Sequence, residues 1–111
     1  MNRIATLLSF LERDPNDAFS LYALALEYVN RGEEDTAAQW FERLLAAHPE
    51  YLALYYHYGQ LKARTGDETG AEALYRTGHA LALKQNNRHT AAELREALAA
   101  VLGMDSEDVE L

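Results

Sequence analysis

The chain has 111 residues, of which 49% are apolar and 25% charged, and these are the values of a globular domain with one core. Its apolar stretches are only a few residues long, well short of the roughly 20 that a transmembrane helix needs. It contains no cysteine, which excludes disulfides, thiolate nucleophiles and thiolate zinc sites. We therefore expect one domain without a membrane span and, because the N-terminus lacks a signal-peptide pattern, a cytoplasmic protein.

The charge of the chain is acidic. Ten Lys and Arg residues stand against eighteen Asp and Glu residues, which gives a formal net charge of -8. This charge repels phosphate backbones and anionic headgroups, so the composition argues against nucleic acid and membrane partners. Residues 104–111 hold four of the acids and no base. We predict that this segment is a disordered acidic tail.

Helix propensity is high along nearly the whole chain, because there are only two prolines, six glycines and few β-branched residues. Apolar residues recur at spacings of three and four, and turn signals separate the segments. The predicted helices, in chain order, cover residues 3–13, 17–31, 35–47, 51–64, 68–85 and 90–102.

Capping residues mark the ends of several of these helices. Asp17 is predicted to cap the second helix at its N-terminus. Asn86 and Asn87 can adopt left-handed backbone geometry and close the fifth. The sixth opens with Thr90 and Glu93 at the spacing of a reciprocal capping box.

A shift of 34 residues aligns one part of the chain with another. The aligned pairs are Tyr22 with Tyr56, Ala25 with Gly59, Gly32 with Gly66, Glu34 with Glu68, Ala37 with Ala71 and Phe41 with Tyr75. Small residues suit the crossing of two helices in a hairpin, and aromatic residues fill the space beside them. The alternative is an alanine-rich helical bundle with chance spacing, but small, aromatic and glycine positions repeat together here.

This pattern resembles the tetratricopeptide repeat, whose signature W-x2-L-G-x2-Y is followed by A-x3-F and a closing proline. The matching residues are Leu21, Leu24, Ala25, Tyr28, Ala37, Phe41 and Pro49 in a first copy and Tyr55, Tyr58, Gly59, Ala71 and Tyr75 in a second. The second copy departs from the pattern at Lys62, where an aromatic residue is expected, and at Leu83, where proline is expected. The copies cover about residues 18–51 and 52–85.

The resemblance implies an all-α fold, a right-handed α-α superhelix of about two and a half tetratricopeptide-like helix hairpins with a C-terminal capping helix. Residues 1–103 would form this domain. Residues 3–13 would be the second half of a degenerate repeat, and residues 90–102 would cover the open end. Residues 104–111 would follow as the tail.

In this family the first helix of each hairpin lines a concave surface that binds a peptide or helix of a partner protein. The resemblance therefore implies a non-catalytic interaction module or adaptor, with its groove between Tyr22 and Tyr56. The arc of the second helix that faces away from its own hairpin is either an open aromatic groove or covered by a terminal helix. The candidate groove residues are Phe19, Tyr22, Leu26, Val29, Asn30, Tyr56, Gln60, Ala63 and Arg64.

The chemistry of the partner is only partly constrained. Chaperone-binding members of the family hold a terminal carboxylate with Lys and Asn side chains, but Tyr22, Leu26 and His57 stand at those positions here. We therefore expect no carboxylate clamp. Three nearby bases either attract an acidic segment or are solvated surface charges, namely Arg31, Lys62 and Arg64.

The sequence carries no catalytic pattern. It has no HExxH motif, glycine-rich phosphate loop or nucleophile elbow beside the candidate bases His57, His79 and His89. His79 is expected to be a partly exposed helix residue, and only a bound metal or a cleft that brings His57 and His79 together would favour an enzyme. We expect no enzyme activity, no cofactor and no metal. The alternative function is self-association as a homodimer through the N-terminal helix or the side that carries Trp40, which otherwise packs between repeats.

Overall fold

The structure is a computed structural model that describes residues 2–111. Within these residues the chain forms six α-helices, one 3-10 turn and no strand. The elements are α1 (Arg3–Arg13), α2 (Ala18–Asn30), α3 (Glu34–Ala47), α4 (Ala53–Arg64), α5 (Glu68–Lys84), α6 (Arg88–Leu102) and the 3-10 turn Ser106–Asp108. None of these helices has the length and apolarity needed to cross a membrane. The prediction of an all-helical chain is confirmed.

The chain divides into two compact units, of which the first ends at Leu54 and the second begins at Tyr55. In the first unit α2 packs against α3, and α1 packs against α2. The second unit contains most of α4 together with α5, α6 and the 3-10 turn, and α6 packs against both α5 and the turn. Each unit therefore contains one predicted hairpin, and α6 takes the position expected of a cover for α5.

The core of the first unit lies between α2 and α3. Ala25 of α2 and Ala37 of α3 are fully buried, as the close approach of two helices requires. Phe41 is also fully buried. Leu7 and Leu11 of α1, the helix that packs against α2, are also buried. The small and aromatic positions of the first repeat thus have the burial that the 34-residue pattern predicts.

The core of the second unit depends on two close approaches of α5. Gly59 of α4 lies against the ring of Tyr75, where a Cβ atom would overlap the ring. Gly78 of α5 lies between Tyr55 of α4 and Leu94 of α6. Side chains larger than hydrogen are excluded at both glycines, so α5 can pack closely against its neighbours on both sides.

The turns that end α2 and α4 repeat the same geometry at a spacing of 34 residues. Each contains a glycine in the left-handed region, Gly32 at φ 75° and Gly66 at φ 96°. In each, the amide after the glycine donates to the carbonyl five residues earlier. These hydrogen bonds run from Glu33 N to Tyr28 O at 2.9 Å and from Asp67 N to Lys62 O at 2.8 Å. The 34-residue repeat is therefore present in the main-chain geometry of these turns as well as in the side chains.

The predicted start of α4 and the predicted cap of α6 are wrong. α4 begins at Ala53 because Tyr51 lies in a turn, where its amide donates to the His48 carbonyl at 3.0 Å. α6 is capped by Asn87, whose side chain accepts from Thr90 N at 3.0 Å, and not by a box of Thr90 with Glu93. The Asp17 cap of α2 is confirmed, since its side chain accepts from Ser20 N at 3.0 Å.

Residues 104–111 differ from the predicted disordered tail. They form the 3-10 turn, and Val109 behind it is only 4% exposed. Three hydrogen bonds from arginine side chains to main-chain carbonyls hold the segment: Arg95 Nη1 to Ser106 O at 2.9 Å, Arg95 Nη1 to Val109 O at 3.2 Å and Arg76 Nη1 to Glu110 O at 2.9 Å. Charge composition cannot reveal such bonds, because the acceptors belong to the main chain. We call residues 104–111 the C-terminal strap.

Candidate functional site

One candidate surface lies on α2 in the first unit. The predicted groove residues on it are Phe19, Tyr22, Leu26, Val29 and Asn30. Phe19 is 53% exposed and Asn30 is exposed, whereas the other three are half-buried. The outer arc of α2 therefore combines an open aromatic ring with partly covered apolar side chains, which is the mixture that protein interfaces favour.

Tyr22 is paired with a residue that the sequence analysis did not select. Its ring centroid lies 5.2 Å from that of Tyr51, and the two rings are tilted by 51°. Burial raises the pKa of both phenols, and the charges of Tyr51 beside Tyr22 and of Asp17 beside Tyr51 add to the effect. Both hydroxyls stay protonated near neutral pH. The signal for Tyr51 was an aromatic residue in the turn after Pro49, which helical periodicity assigned to α4.

A second candidate surface is a cleft of about 480 Å³ in the second unit, which we call the α4–α6 cleft. It is lined by Gln60, Ala63 and Arg64 of α4, by Ala97, Ala100 and Val101 of α6, and by Glu68 and Tyr75 of α5. Three of the four groove residues predicted on α4 thus share one cleft. The fourth, Tyr56, is linked to it, because its hydroxyl accepts from Gln60 Nε2 at 3.3 Å.

The lining of the α4–α6 cleft combines short apolar side chains with hydrogen-bonding groups. The three α6 residues are apolar, whereas Gln60 and Arg64 of α4 carry N–H donors. Burial, together with the neighbouring Tyr56, raises the pKa of Tyr75 to about 12, so this phenol stays protonated and is not a base at neutral pH. The cleft is suited to an aliphatic side chain and to hydrogen bonds with a peptide main chain.

The three bases that the sequence analysis selected differ in their surroundings. Arg31 Nε lies 2.9 Å from Glu33 Oε2, and Lys62 Nζ lies 3.1 Å from Asp67 Oδ2. Both of these bases pair with an acid in the turn that follows their own helix. Arg64 is the one of the three that lines the α4–α6 cleft.

The histidines considered for catalysis lie outside the α4–α6 cleft. The His57 ring meets that of Tyr56 edge-on at 5.4 Å, and burial lowers its pKa. The pKa of His79 is also lowered, by burial and by the charge of Arg95. Within residues 2–111, no group of three His, Cys, Asp or Glu side chains is arranged to hold a metal ion. His57 and His79 are half-buried helix residues, whereas the His89 side chain is 86% exposed.

Comparisons with known proteins agree on one family. A sequence model described as tetratricopeptide repeat matches residues 18–61. The solution NMR structure of a tetratricopeptide repeat domain protein from Salinibacter ruber is 30% identical with a TM-score of 0.77, and the match covers 88% of this chain and 99% of that one. A crystal structure of a tetratricopeptide repeat domain protein from the same organism gives 30% identity and a TM-score of 0.75, covering 80% and 100%.

A third structure is similar to this chain in fold alone. The solution structure of a protein from Bordetella parapertussis is 19% identical with a TM-score of 0.79, and the match covers 97% of this chain and 94% of that one. No curated protein sequence matches the chain.

Proposed function

Because the chain belongs to the tetratricopeptide repeat family, whose fold serves protein–protein interaction, we propose that it is a non-catalytic adaptor that binds a peptide or helix of a partner protein. The proposed contact residues are the predicted ones on α2 and α4, together with Tyr51. The partner segment is expected to present aliphatic and aromatic side chains to them.

The α4–α6 cleft is the observation that carries this proposal. Its volume of about 480 Å³ is comparable to that of ligand sites in proteins. The alanines at 63, 97 and 100 leave room for an aliphatic side chain of the partner. Gln60 and Arg64 offer donors to the carbonyl groups of the bound segment. The combination of an apolar floor and polar donors favours an extended or helical peptide over a small charged metabolite.

A surface of the first unit also supports the proposal. It consists of the predicted groove residues on α2 together with Tyr51, and we call it the α2 face. Phe19 is 53% exposed, and the Tyr22 and Tyr51 rings beside it on the same unit form a close pair. Large aromatic side chains that keep a polar end are typical of residues that contribute most to binding. We therefore assign this face to partner contact as well.

The test uses peptides displayed on phage and selected on the full wild-type chain. Selected peptides are then titrated against an Ala63→Leu variant, in which a larger side chain fills the α4–α6 cleft. The matched control is Ala73→Leu, the same substitution at an exposed position of α5 that does not line the cleft. We expect Ala63→Leu to weaken binding at least about tenfold, equivalent to about 1.4 kcal/mol, with no change for Ala73→Leu. Equal affinities for both variants would contradict the proposal.

The second candidate function is self-association, which the exposed apolar side chains of α1 favour. Leu8 is 40% exposed and Phe10 is 44% exposed. Because residues two apart on a helix are turned by about 200°, the two side chains lie on different sides of α1, and each is a separate candidate for a symmetric contact between two copies. Sedimentation over a wide concentration range tests this function, since a monomer at every concentration would exclude it. A dimer that Leu8→Ser with Phe10→Ser dissociates would support it.

A further inference from the structure

We propose that the face of α5 and α6 under the C-terminal strap is a second docking site, one that takes an acidic peptide segment with a single aliphatic anchor. In the chain alone the strap occupies this site as an intramolecular ligand. This inference goes beyond the proposed function, because it concerns a different surface and a different class of partner segment.

The way in which the strap is bound defines the anchor. Val109 is 4% exposed, whereas Asp108 and Glu110 on either side of it are exposed and Leu111 is 50% exposed. The 3-10 turn before Val109 is closed by the bond from Val109 N to Ser106 O at 3.3 Å. One aliphatic side chain is thus inserted, and the rest of the segment remains on the surface.

The two arginines that bind the strap recognise its main chain and not particular side chains. Arg95 of α6 donates from one nitrogen to the carbonyls of Ser106 and Val109, and Arg76 of α5 donates to the carbonyl of Glu110. Carbonyl groups are common to every peptide, so a foreign segment in the same conformation can make the same three bonds. An aliphatic side chain at the position of Val109 is then the main sequence requirement.

Charge favours an acidic segment over a neutral one. The strap carries Asp105, Glu107, Asp108 and Glu110 and no base. Of the two guanidinium groups that it lies against, that of Arg76 is paired with Glu72 at 2.9 Å, so the charge preference depends on Arg95. The positive charge of Arg95 extends over this face, since it helps to lower the pKa of His79 on α5. A second acidic segment would meet the same complementary field.

The strap site and the α4–α6 cleft lie mainly on opposite arcs of α6. Successive residues of an α-helix are turned by about 100°, so the arc with Arg95 and Ala99 lies on the opposite side from the arc with Ala97 and Val101. The buried Leu98 lies on the core arc that separates them. Ala97 and Val101 line the cleft, whereas Arg95 binds the strap. Ala100 borders both the cleft and a pocket that strap residues 104–107 line, so the two sites adjoin at this residue.

The contacts of the strap are few, which makes displacement feasible. Apart from Met104 N, which donates to Ala99 O at 3.0 Å where α6 ends, the strap is held by one buried side chain and three arginine hydrogen bonds. Contacts this few would form only a weak complex between separate molecules, and covalent attachment through Gly103 adds to them. A short linker gives an effective concentration on the order of millimolar. A partner segment with the same anchor and additional contacts can bind more tightly than the tethered strap and displace it from the site.

The test uses a synthetic peptide with the sequence of residues 104–111 as the probe and the full chain as the receptor. In the Val109→Asp variant the strap loses its anchor, so the site is vacated while the rest of the chain is retained. We expect the peptide to bind this variant at least about tenfold more tightly than it binds wild type. A peptide with Ser in place of Val109 should not bind. Circular dichroism checks that the variant remains helical.

Arg95→Ala, added to Val109→Asp, should abolish peptide binding, whereas Arg88→Ala at the start of α6 should leave it unchanged. A second receptor, truncated after Gly103, should behave like Val109→Asp. The proposal is overturned if wild type and both altered receptors bind the peptide equally or not at all, or if Arg95→Ala and Arg88→Ala have the same effect. It is also overturned if vacating the site produces dimers that the peptide does not dissociate, because the face would then belong to a second copy.

Discussion

The main chain of Gly59 in α4 lies directly against the ring of Tyr75 in α5, so that a Cβ atom at position 59 would overlap the ring. Tyr75 is 2% exposed, so its ring is closely packed and has room to shift only towards the α4–α6 cleft that it lines. The contact fixes how closely the two helices of the second repeat approach each other. It also explains why the position equivalent to Ala25 holds an even smaller residue.

Gly59→Ala should destabilise the protein despite the better helix propensity of alanine. Alanine gains about 1 kcal/mol over glycine inside a helix, but overpacking a buried contact typically costs about 1–3 kcal/mol. We expect a net loss of about 1 kcal/mol, and at most about 2 kcal/mol, in the free energy of unfolding, measured by urea titration. In a Tyr75→Leu background the same substitution should cost less. A cost that is unchanged by Tyr75→Leu would show that the ring is not what excludes the Cβ atom.

Asn87→Ala should lower the free energy of unfolding by about 1 kcal/mol, because the Asn87 side chain caps α6 by accepting from Thr90 N. Glu93→Ala is the control, since no capping box forms there. It should change stability by less than about 0.5 kcal/mol. Thermal unfolding followed by circular dichroism measures both variants. A larger loss for Glu93→Ala than for Asn87→Ala would favour the capping box after all.

His48 should stabilise the protein more at acidic than at alkaline pH. The Asn16 carbonyl, and to a smaller extent Glu50, raise the pKa of His48 in the folded chain. Because the folded pKa exceeds the unfolded value, the stabilisation is complete below the unfolded pKa and is lost as pH rises through the folded one. The difference in melting temperature between wild type and His48→Gln should therefore be larger near about pH 5.5 than near about pH 8.

A Glu50→Gln variant separates the two contacts of His48. It should reduce this pH dependence only in part, since the Asn16 carbonyl remains. A difference between wild type and His48→Gln that is the same at both pH values would refute the assignment.

Phe19→Ser should weaken peptide binding while leaving the stability of the protein nearly unchanged. Phe19 is 53% exposed, so its replacement should change the free energy of unfolding by no more than about 0.5 kcal/mol. It should nevertheless lower the affinity of those selected peptides that contact the α2 face. Leu21→Ala, a fully buried neighbour on α2, should instead cost about 2–5 kcal/mol in stability. Unaltered affinity of every selected peptide for Phe19→Ser would remove the α2 face from the proposed site.

The helices and the repeat could be predicted from the sequence because each depends on local, periodic features. Apolar spacing determines which face of a helix is buried. The glycines at 32 and 66 mark turns that require a residue in the left-handed backbone region. The pairing of Ala25 with Ala37 could be inferred in the same way, since side-chain size decides how closely two helices approach.

The features that were missed depend on contacts that no periodicity records. The C-terminal strap is held by Arg95 and Arg76 through main-chain carbonyls, and its one buried residue, Val109, is surrounded by acids. Tyr51 pairs with Tyr22 from a turn, outside any helical stripe. At the start of α6, Thr90 was the predicted cap, but Asn87, which was predicted only to close the fifth helix, caps α6.

The most direct test of the binding site is an amide chemical-shift titration of the full, isotopically labelled chain with a selected peptide. We predict that the amides of Gln60, Ala63 and Arg64 on α4 and of Ala97, Ala100 and Val101 on α6 shift together as the peptide saturates. Shifts confined to α1 or to the C-terminal strap, with these six amides unmoved, would contradict the assignment of the α4–α6 cleft as the site of partner binding.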